Sequence, residues 1–114
     1  MPAYLVYLCR DVRERQDLEK YWEEVQATFE GQHMKLRVAY TPFEVLESDG
    51  EDLLGVVVAE FPSYEACKAW YDSPGYVAAR QHRIRGASYL GMLVDGGVTP
   101  PAERMPHTKP GQPA

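Results

Sequence analysis

The run Leu53-Leu54-Gly55-Val56-Val57-Val58-Ala59 is apolar at odd and even positions alike. Successive strand residues point to opposite faces, so such a strand is covered on both. Tyr4 to Cys9 (Tyr-Leu-Val-Tyr-Leu-Cys) reads the same way. A sheet built on two strands of this kind needs helices on one face and a second cover on the other. The chain has 114 residues, which is one domain. A domain of that size buries only roughly two-thirds of its unfolded surface, so a second copy over the bare face would add to its core.

Just after the apolar run comes Glu60-Phe61-Pro62-Ser63, then Tyr64 to Asp72, then Ser73-Pro74-Gly75-Tyr76. The stretch predicts a strand end, a short helix, a break and a second short helix. Ser63 is placed to cap the first helix, with Glu65 in its first turn, where the helix dipole favours negative charge. Ser73 caps the second, and Pro74 occupies the first helical position, where a missing N–H costs nothing. Asp72 and Ser73 mark the end of the first helix, because the residue before a proline avoids the helical region.

Upstream, Leu18, Tyr21, Trp22, Val25 and Phe29 fall at helical spacing, with charged residues between them and Gly31 as the stop. Asp11 with Glu14, or Asp17, supplies the start. Met34 to Leu46 reads as one long extended region interrupted at Tyr40-Thr41-Pro42. Leu36, Val38, Phe43 and Val45 are its alternating apolar positions, and Pro42 implies a bulge or an edge. Ser48 to Asp52 is a polar turn leading into the next strand as a hairpin. The second signature helix runs to about Ile84, and a last strand covers Tyr89 to Val94. Residues 1–97 form the domain. Residues 98–114 are a proline-rich tail, predicted to be mostly irregular.

The order is β-α-β-β-α-(α)-β. This predicts an α+β fold: a four-stranded antiparallel sheet with helices on one face, the ferredoxin-like β-α-β-β-α-β arrangement with an extra short helix. A second copy related by a two-fold axis is the commonest cover for the bare face. Two sheets face to face make a dimeric α+β barrel, so a homodimer is expected.

Composition excludes some classes. Net charge is −5, and Arg80, Arg83 and Arg85 are too few to track phosphates, so nucleic acid is not an expected partner. No apolar stretch approaches the ~20 residues of a membrane span. Met1-Pro2-Ala3-Tyr4 lacks the basic segment and cleavage site of a signal peptide, and Cys9 and Cys67 make no disulfide framework. The expectation is a cytoplasmic protein with no membrane partner.

Glu60-Phe61-Pro62-Ser63, Ala66, Ala69-Trp70-Tyr71-Asp72-Ser73-Pro74, Tyr76, Arg83 and Leu93-Val94-Asp95-Gly96 together resemble the domain-of-unknown-function family 1330. Its members read Glu-Phe-Pro-Ser, Trp-Tyr-Asp-Ser-Pro-Glu-Tyr, an Arg seven residues after that Tyr, and a final Leu-Val-Glu-Gly. The resemblance covers roughly residues 3 to 96. It implies the dimeric α+β barrel superfamily, which holds cofactor-free monooxygenases, isomerases, dehydratases, haem-degrading enzymes and members with no known chemistry. The family itself has no established general function. Where members carry a Gly pair before the second strand this chain has His33-Met34. Where they carry Gly within that strand it has Tyr40-Thr41-Pro42.

Candidate chemistry is sparse. Arg83 suits a clamp that grips a carboxylate through two parallel hydrogen bonds; a structural ion pair with Asp72 or with a second copy is the other reading. His33 and His82 are the candidate proton carriers, or plain surface histidines; His107 lies in the tail and is read as incidental. Tyr7, Trp22, Tyr71 and Tyr76, with Arg83, are the candidate ligand-binding set. Together with Tyr4 and Tyr21 they make an aromatic interior that either lines a pocket for a flat ligand or is core and interface. Cys9 and Cys67 read as buried inert thiols. Glu60, ending a buried strand, needs a partner, or serves as a carboxylate base. No metal-ligand spacing, nucleotide loop or nucleophile motif is present, so no metal or cofactor is expected. Two functions remain. One is a cofactor-independent enzyme acting on a small aromatic or carbonyl metabolite. The other is a non-catalytic dimeric binding or accessory protein. An open cavity with a titratable residue favours the first, and a cavity filled by Trp22 and the tyrosines favours the second.

Overall fold

Eight elements succeed one another along residues 1–105, the residues that the structure, a computed structural model, describes. They are β1 (Ala3–Val12), α1 (Arg15–Thr28), β2 (Lys35–Ala39), β3 (Gly55–Phe61), α2 (Tyr64–Tyr71), α3 (Pro74–Gly86), β4 (Ala87–Asp95) and the short α4 (Pro101–Arg104). The four strands form one sheet in the order β2-β3-β1-β4, and every pair is antiparallel. With the helices on one face this is the ferredoxin-like α+β fold.

Alternation along β1 separates the two faces. Leu5, Tyr7 and Cys9 are buried beneath the helices, with Leu18, Tyr21 and Val25 of α1, Cys67 and Trp70 of α2, and Tyr76 and Ala79 of α3 packed over them. Both predicted caps are in place. Ser63 Oγ accepts from the Ala66 amide at 3.1 Å, and Ser73 Oγ accepts from the Tyr76 amide at 3.4 Å. Because Ser73 and Pro74 start α3 at a fixed point, Tyr76 and Arg83 both turn inward.

The other face of the sheet is apolar and open. Val6, at its centre, pairs with Val58 on one side and Met92 on the other. Leu90, Met92 and Val94 are 37%, 42% and 42% exposed. Strands that read as covered on both faces are thus covered on one within a single chain. Glu60 also lies on the open side, paired with Arg37 at 3.3 Å, which gives this carboxylate a structural partner.

Several expectations need correction. The extended region after Met34 is short: β2 ends at Ala39, because Tyr40 takes a left-handed backbone with φ of 58°. The expected hairpin with the next strand is present, since β2 pairs antiparallel with β3, but its connection is long: from Thr41 to Leu54 the chain is coil, most of it exposed. Leu36 and Val38 do not share a face, because the pairing slips between them: Leu36 lies opposite buried Ala59, and Val38 opposite Val58 on the open side. Helix α1 begins at Arg15 after Glu14, with no side-chain cap from Asp11, Glu14 or Asp17. In the tail, one short helical turn, α4, interrupts the expected irregular chain. Residues 106–114, His107 among them, lie outside the described residues. No helix is long and apolar enough to cross a membrane among the described residues.

Candidate functional site

Arg83 is the one buried charged side chain among the described residues, 6% exposed. It comes off α3 into the space between that helix and the sheet. It has no carboxylate partner among the described residues. Asp72, one candidate, instead pairs with Lys68 at 3.3 Å. The guanidinium makes one long bond, Nη2 donating to the Tyr7 hydroxyl at 3.4 Å, and its buried Nε has no partner among the described residues. Around it stand three aromatic rings. Its central carbon lies 4.5 Å from the Tyr7 ring, 5.3 Å from Tyr89 and 5.6 Å from Tyr21. Such contacts stabilise a cation by about 0.5–2 kcal/mol each, but they supply no counter-charge.

The hydroxyls beyond Arg83 form a chain. Tyr7 and Tyr76 oxygens are 2.7 Å apart, and Tyr76 and Tyr21 oxygens 2.9 Å apart. A guanidinium only donates. Tyr7 therefore accepts from Arg83, and its hydroxyl shares a bond with that of Tyr76, which shares another with that of Tyr21. The cation polarises the row. Burial raises the pKa of Tyr7, Tyr21 and Tyr76 well above the ordinary value, and burial with the Tyr40 hydrogen bond raises that of Tyr89. All four stay neutral, so no phenolate balances Arg83. These tyrosines titrate later folded than unfolded. Their stability contribution is full below the ordinary value of 10.0 and is lost as pH rises from there towards the folded values. A spectrophotometric titration of the eight tyrosines should show these four staying silent until the chain unfolds in base. Early, reversible ionisation of all eight would contradict their burial.

Tyr7 and Tyr89 meet edge to face at 5.7 Å and divide the space under the helices into two cavities. One, of about 450 Å³, lies against α2, α3 and β4 and includes Arg83, Tyr71, Cys67 and Lys68 in its wall. The other, of about 560 Å³, lies between α1, β2 and β3 and includes Trp22, Tyr21 and Tyr40. The expected ligand-binding set is thus split. Arg83 and Tyr71 face one cavity, Trp22 the other, and Tyr7 both. Tyr76 is fully buried and lines neither; it links the hydroxyl chain.

The histidines lie elsewhere. His33 is exposed in the loop before β2. His82 sits beside α1, its Nε2 2.7 Å from Glu24 and its Nδ1 3.7 Å from Asp17. Adjacent helical residues point about 100° apart, so His82 turns toward α1 where Arg83 turns toward the sheet. Neither lines either cavity, and neither is beside Arg83 as a proton carrier. Burial pushes the Cys67 thiol up to about 11, so it stays protonated and unreactive, as expected of it. No cluster of metal-ligating side chains occurs among the described residues.

Two residues of the site, Tyr89 and Gly91, went unread in the sequence, whereas Tyr40 stood out as a departure from the family pattern. Tyr40 and Tyr89 share a 2.7 Å hydrogen bond, a contact between distant segments. Gly91 carried a signal, since a glycine inside a strand often marks close approach. The Tyr7 ring lies directly over it, and a Cβ there would stand 2.5 Å from the ring. Gly91→Ala should push Tyr7 out of its hydroxyl row at a cost of about 1–3 kcal/mol, measured by chemical denaturation. An unchanged midpoint would mean that the ring slides freely.

The Domain of unknown function (DUF1330) family matches residues 2–97. No curated protein matches the sequence. Among solved structures, a protein of unknown function from Rhodopseudomonas palustris (RPA0582) has a TM-score of 0.68 at 18% identity, over 87% of this chain and 84% of that one. SnoaB, a cofactor-independent oxygenase from Streptomyces nogalater, has a TM-score of 0.57 at 15% identity, over 88% and 97%. A dimeric ferredoxin-like protein of unknown function from Jannaschia sp. CCS1 has a TM-score of 0.59 at 12% identity, over 84% and 100%. At such identities the likeness is one of fold. With the family match spanning every strand and helix that builds the site, the chain belongs to the DUF1330 family, with a ferredoxin-like fold.

Proposed function

We propose that this protein is a homodimer that holds a small aromatic or carbonyl-containing anion against Arg83, in the cavity beside α2 and α3. The observation that carries the reading is a buried guanidinium with an unpartnered Nε and no acidic neighbour among the described residues. A lone buried cation is costly, and a carboxylate or enolate oxygen pair is the group whose geometry it complements. Tyr7, Tyr71 and Tyr89 offer ring surface to the rest of the ligand. A volume of about 450 Å³ suits a small organic molecule.

The wall contains no histidine or carboxylate among the described residues. That favours a ligand that arrives already ionised, and it favours holding over proton abstraction. Chemistry on the same ligand would consist of stabilising an oxyanion at Arg83, with the neutral phenols polarised behind it. The open apolar sheet face supports pairing of two copies, as does the dimeric description of related folds. Residues 1–97 are the binding unit in this reading, and the tail from 98 an appendage.

Native mass spectrometry of freshly purified protein, followed by titration with benzoate and 2-naphthoate, tests this. The expected result is a dimer with one carboxylate per chain. A monomer, or a dimer indifferent to both anions, would remove the proposal.

A further inference from the structure

The second cavity, of about 560 Å³ between α1, β2 and β3, has no part in binding at Arg83. We propose that it is a separate site for a neutral, flat aromatic molecule bearing one hydrogen-bonding substituent, and that Tyr40 is its latch. Charge separates the two cavities. Arg83 stands in the wall of the first. The charged residue in the wall of the second is Arg15, and it sits at the rim. There it bonds the Glu19 carboxylate at 3.0 Å and lies 5.1 Å over the Trp22 ring. The interior offers Leu18, Val25 and Val57 beside the aromatic surfaces of Tyr21, Trp22 and Tyr89. Such a lining suits an uncharged ring, and the volume falls in the range of small-ligand sites.

Tyr40 is held in place at an energetic cost. Its left-handed backbone, φ 58°, is less favourable than the right-handed one for a residue with a Cβ. Residues kept in such conformations are over-determined by their surroundings and gather at functional sites. Three side-chain contacts bear on the latch, besides a backbone bond from the Tyr40 amide to the Val56 carbonyl at 2.9 Å. Its ring rests on Gly55, where an added Cβ would lie 2.8 Å from the ring. Its hydroxyl accepts from Trp22 Nε1 at 3.1 Å. The same hydroxyl shares a 2.7 Å bond with the Tyr89 hydroxyl. One phenol thus ties α1 to β4 across the cavity. Tyr40 is 42% exposed, and the chain after it is coil, so the ring has room to swing outward. Release frees an indole N–H and a phenol, the two groups that a ligand hydroxyl or carbonyl would then engage. Hydrogen bonds are exchanged, and none is left unmade.

The test uses 2-naphthol at neutral pH, with binding read by calorimetry. It should bind once per chain and remain bound under saturating 2-naphthoate. Ala39→Trp fills the cavity from the exposed end of β2 and should weaken 2-naphthol about tenfold or more, with circular dichroism and melting temperature confirming the fold. Tyr40→Phe keeps the ring and removes both latch bonds, and should tighten 2-naphthol about threefold. A crystal grown with 1-bromo-2-naphthol should show bromine anomalous signal between Trp22 and Val57, which needs no variant to fold. Absence of 2-naphthol binding, full affinity in Ala39→Trp, displacement by 2-naphthoate or bromine beside Arg83 would each overturn the site. Weaker binding in Tyr40→Phe would overturn the latch. Failure of 2-naphthoate to bind, with 2-naphthol still excluded by Ala39→Trp, would sink the Arg83 reading and leave this one standing.

Discussion

Arg83→Met should fold as well as the parent and melt no lower, while affinity for an aromatic carboxylate drops about a hundredfold or more. The two halves of this expectation have separate causes. Stability reflects desolvation against compensation. Burying an ion without a partner costs several kcal/mol. Against that stand three ring contacts and one bond at 3.4 Å, the bond too long to count for much. Methionine has a comparable volume, though a shorter reach, and fills irregular space easily. It leaves Tyr7 bonded to Tyr76, so no buried hydroxyl is orphaned. Replacing buried ionic groups with apolar side chains of similar volume is often neutral or stabilising. Binding reflects a different quantity. Two charge-assisted hydrogen bonds contribute about 1.5–3 kcal/mol each, and losing both corresponds to about a hundredfold or more. Thermal melting and calorimetry with 2-naphthoate read the two halves independently. A large fall in melting temperature with unaltered binding would make Arg83 a strut and remove it from the site.

Val6→Asp should convert the proposed dimer to folded monomers at micromolar concentration. Val6 lies at the middle of the open sheet face, between Val58 and Met92. In a single chain that face meets water, so a carboxylate there costs little. In a pair of face-to-face sheets the two-fold axis brings in two such carboxylates and desolvates both, at several kcal/mol each. Sedimentation should therefore show a shift in mass with far-ultraviolet circular dichroism unchanged. A dimer that survives would mean that pairing uses a different surface.

Much of the fold was legible because it is written in local patterns. The doubly apolar runs located β1 and β3. The Leu18-to-Phe29 periodicity located α1, and the two Ser residues located the starts of α2 and α3. The features that escaped depend on contacts between distant segments. No local rule would put Tyr40 in a left-handed backbone. Its support comes from Gly55, Trp22 and Tyr89, residues scattered over three other elements. The slip between Leu36 and Val38 arises from the same closure of β2 onto β3. At the site, Arg83 was readable as a residue of interest. Its isolation was not, because the absence of a carboxylate among the described residues around it is a property of everything packed there. His82 was a candidate by residue type alone, and its place against Glu24 and Asp17 of α1 depends on packing between helices that no local pattern encodes.

The strand order carries a consequence for how the chain comes off the ribosome. β1 has neighbours only in β3 and β4, residues 55–61 and 87–95. Until β3 has emerged, Tyr4 to Cys9 has no strand to pair with, and until β4 has emerged one of its edges stays bare. Synthesis proceeds at about 5–20 residues per second, so an apolar strand waits seconds for its partner. Long-range pairing of this kind also slows folding once the chain is complete. The first strand of this domain is therefore its exposed aggregation hazard during synthesis and a natural binding segment for a nascent-chain chaperone.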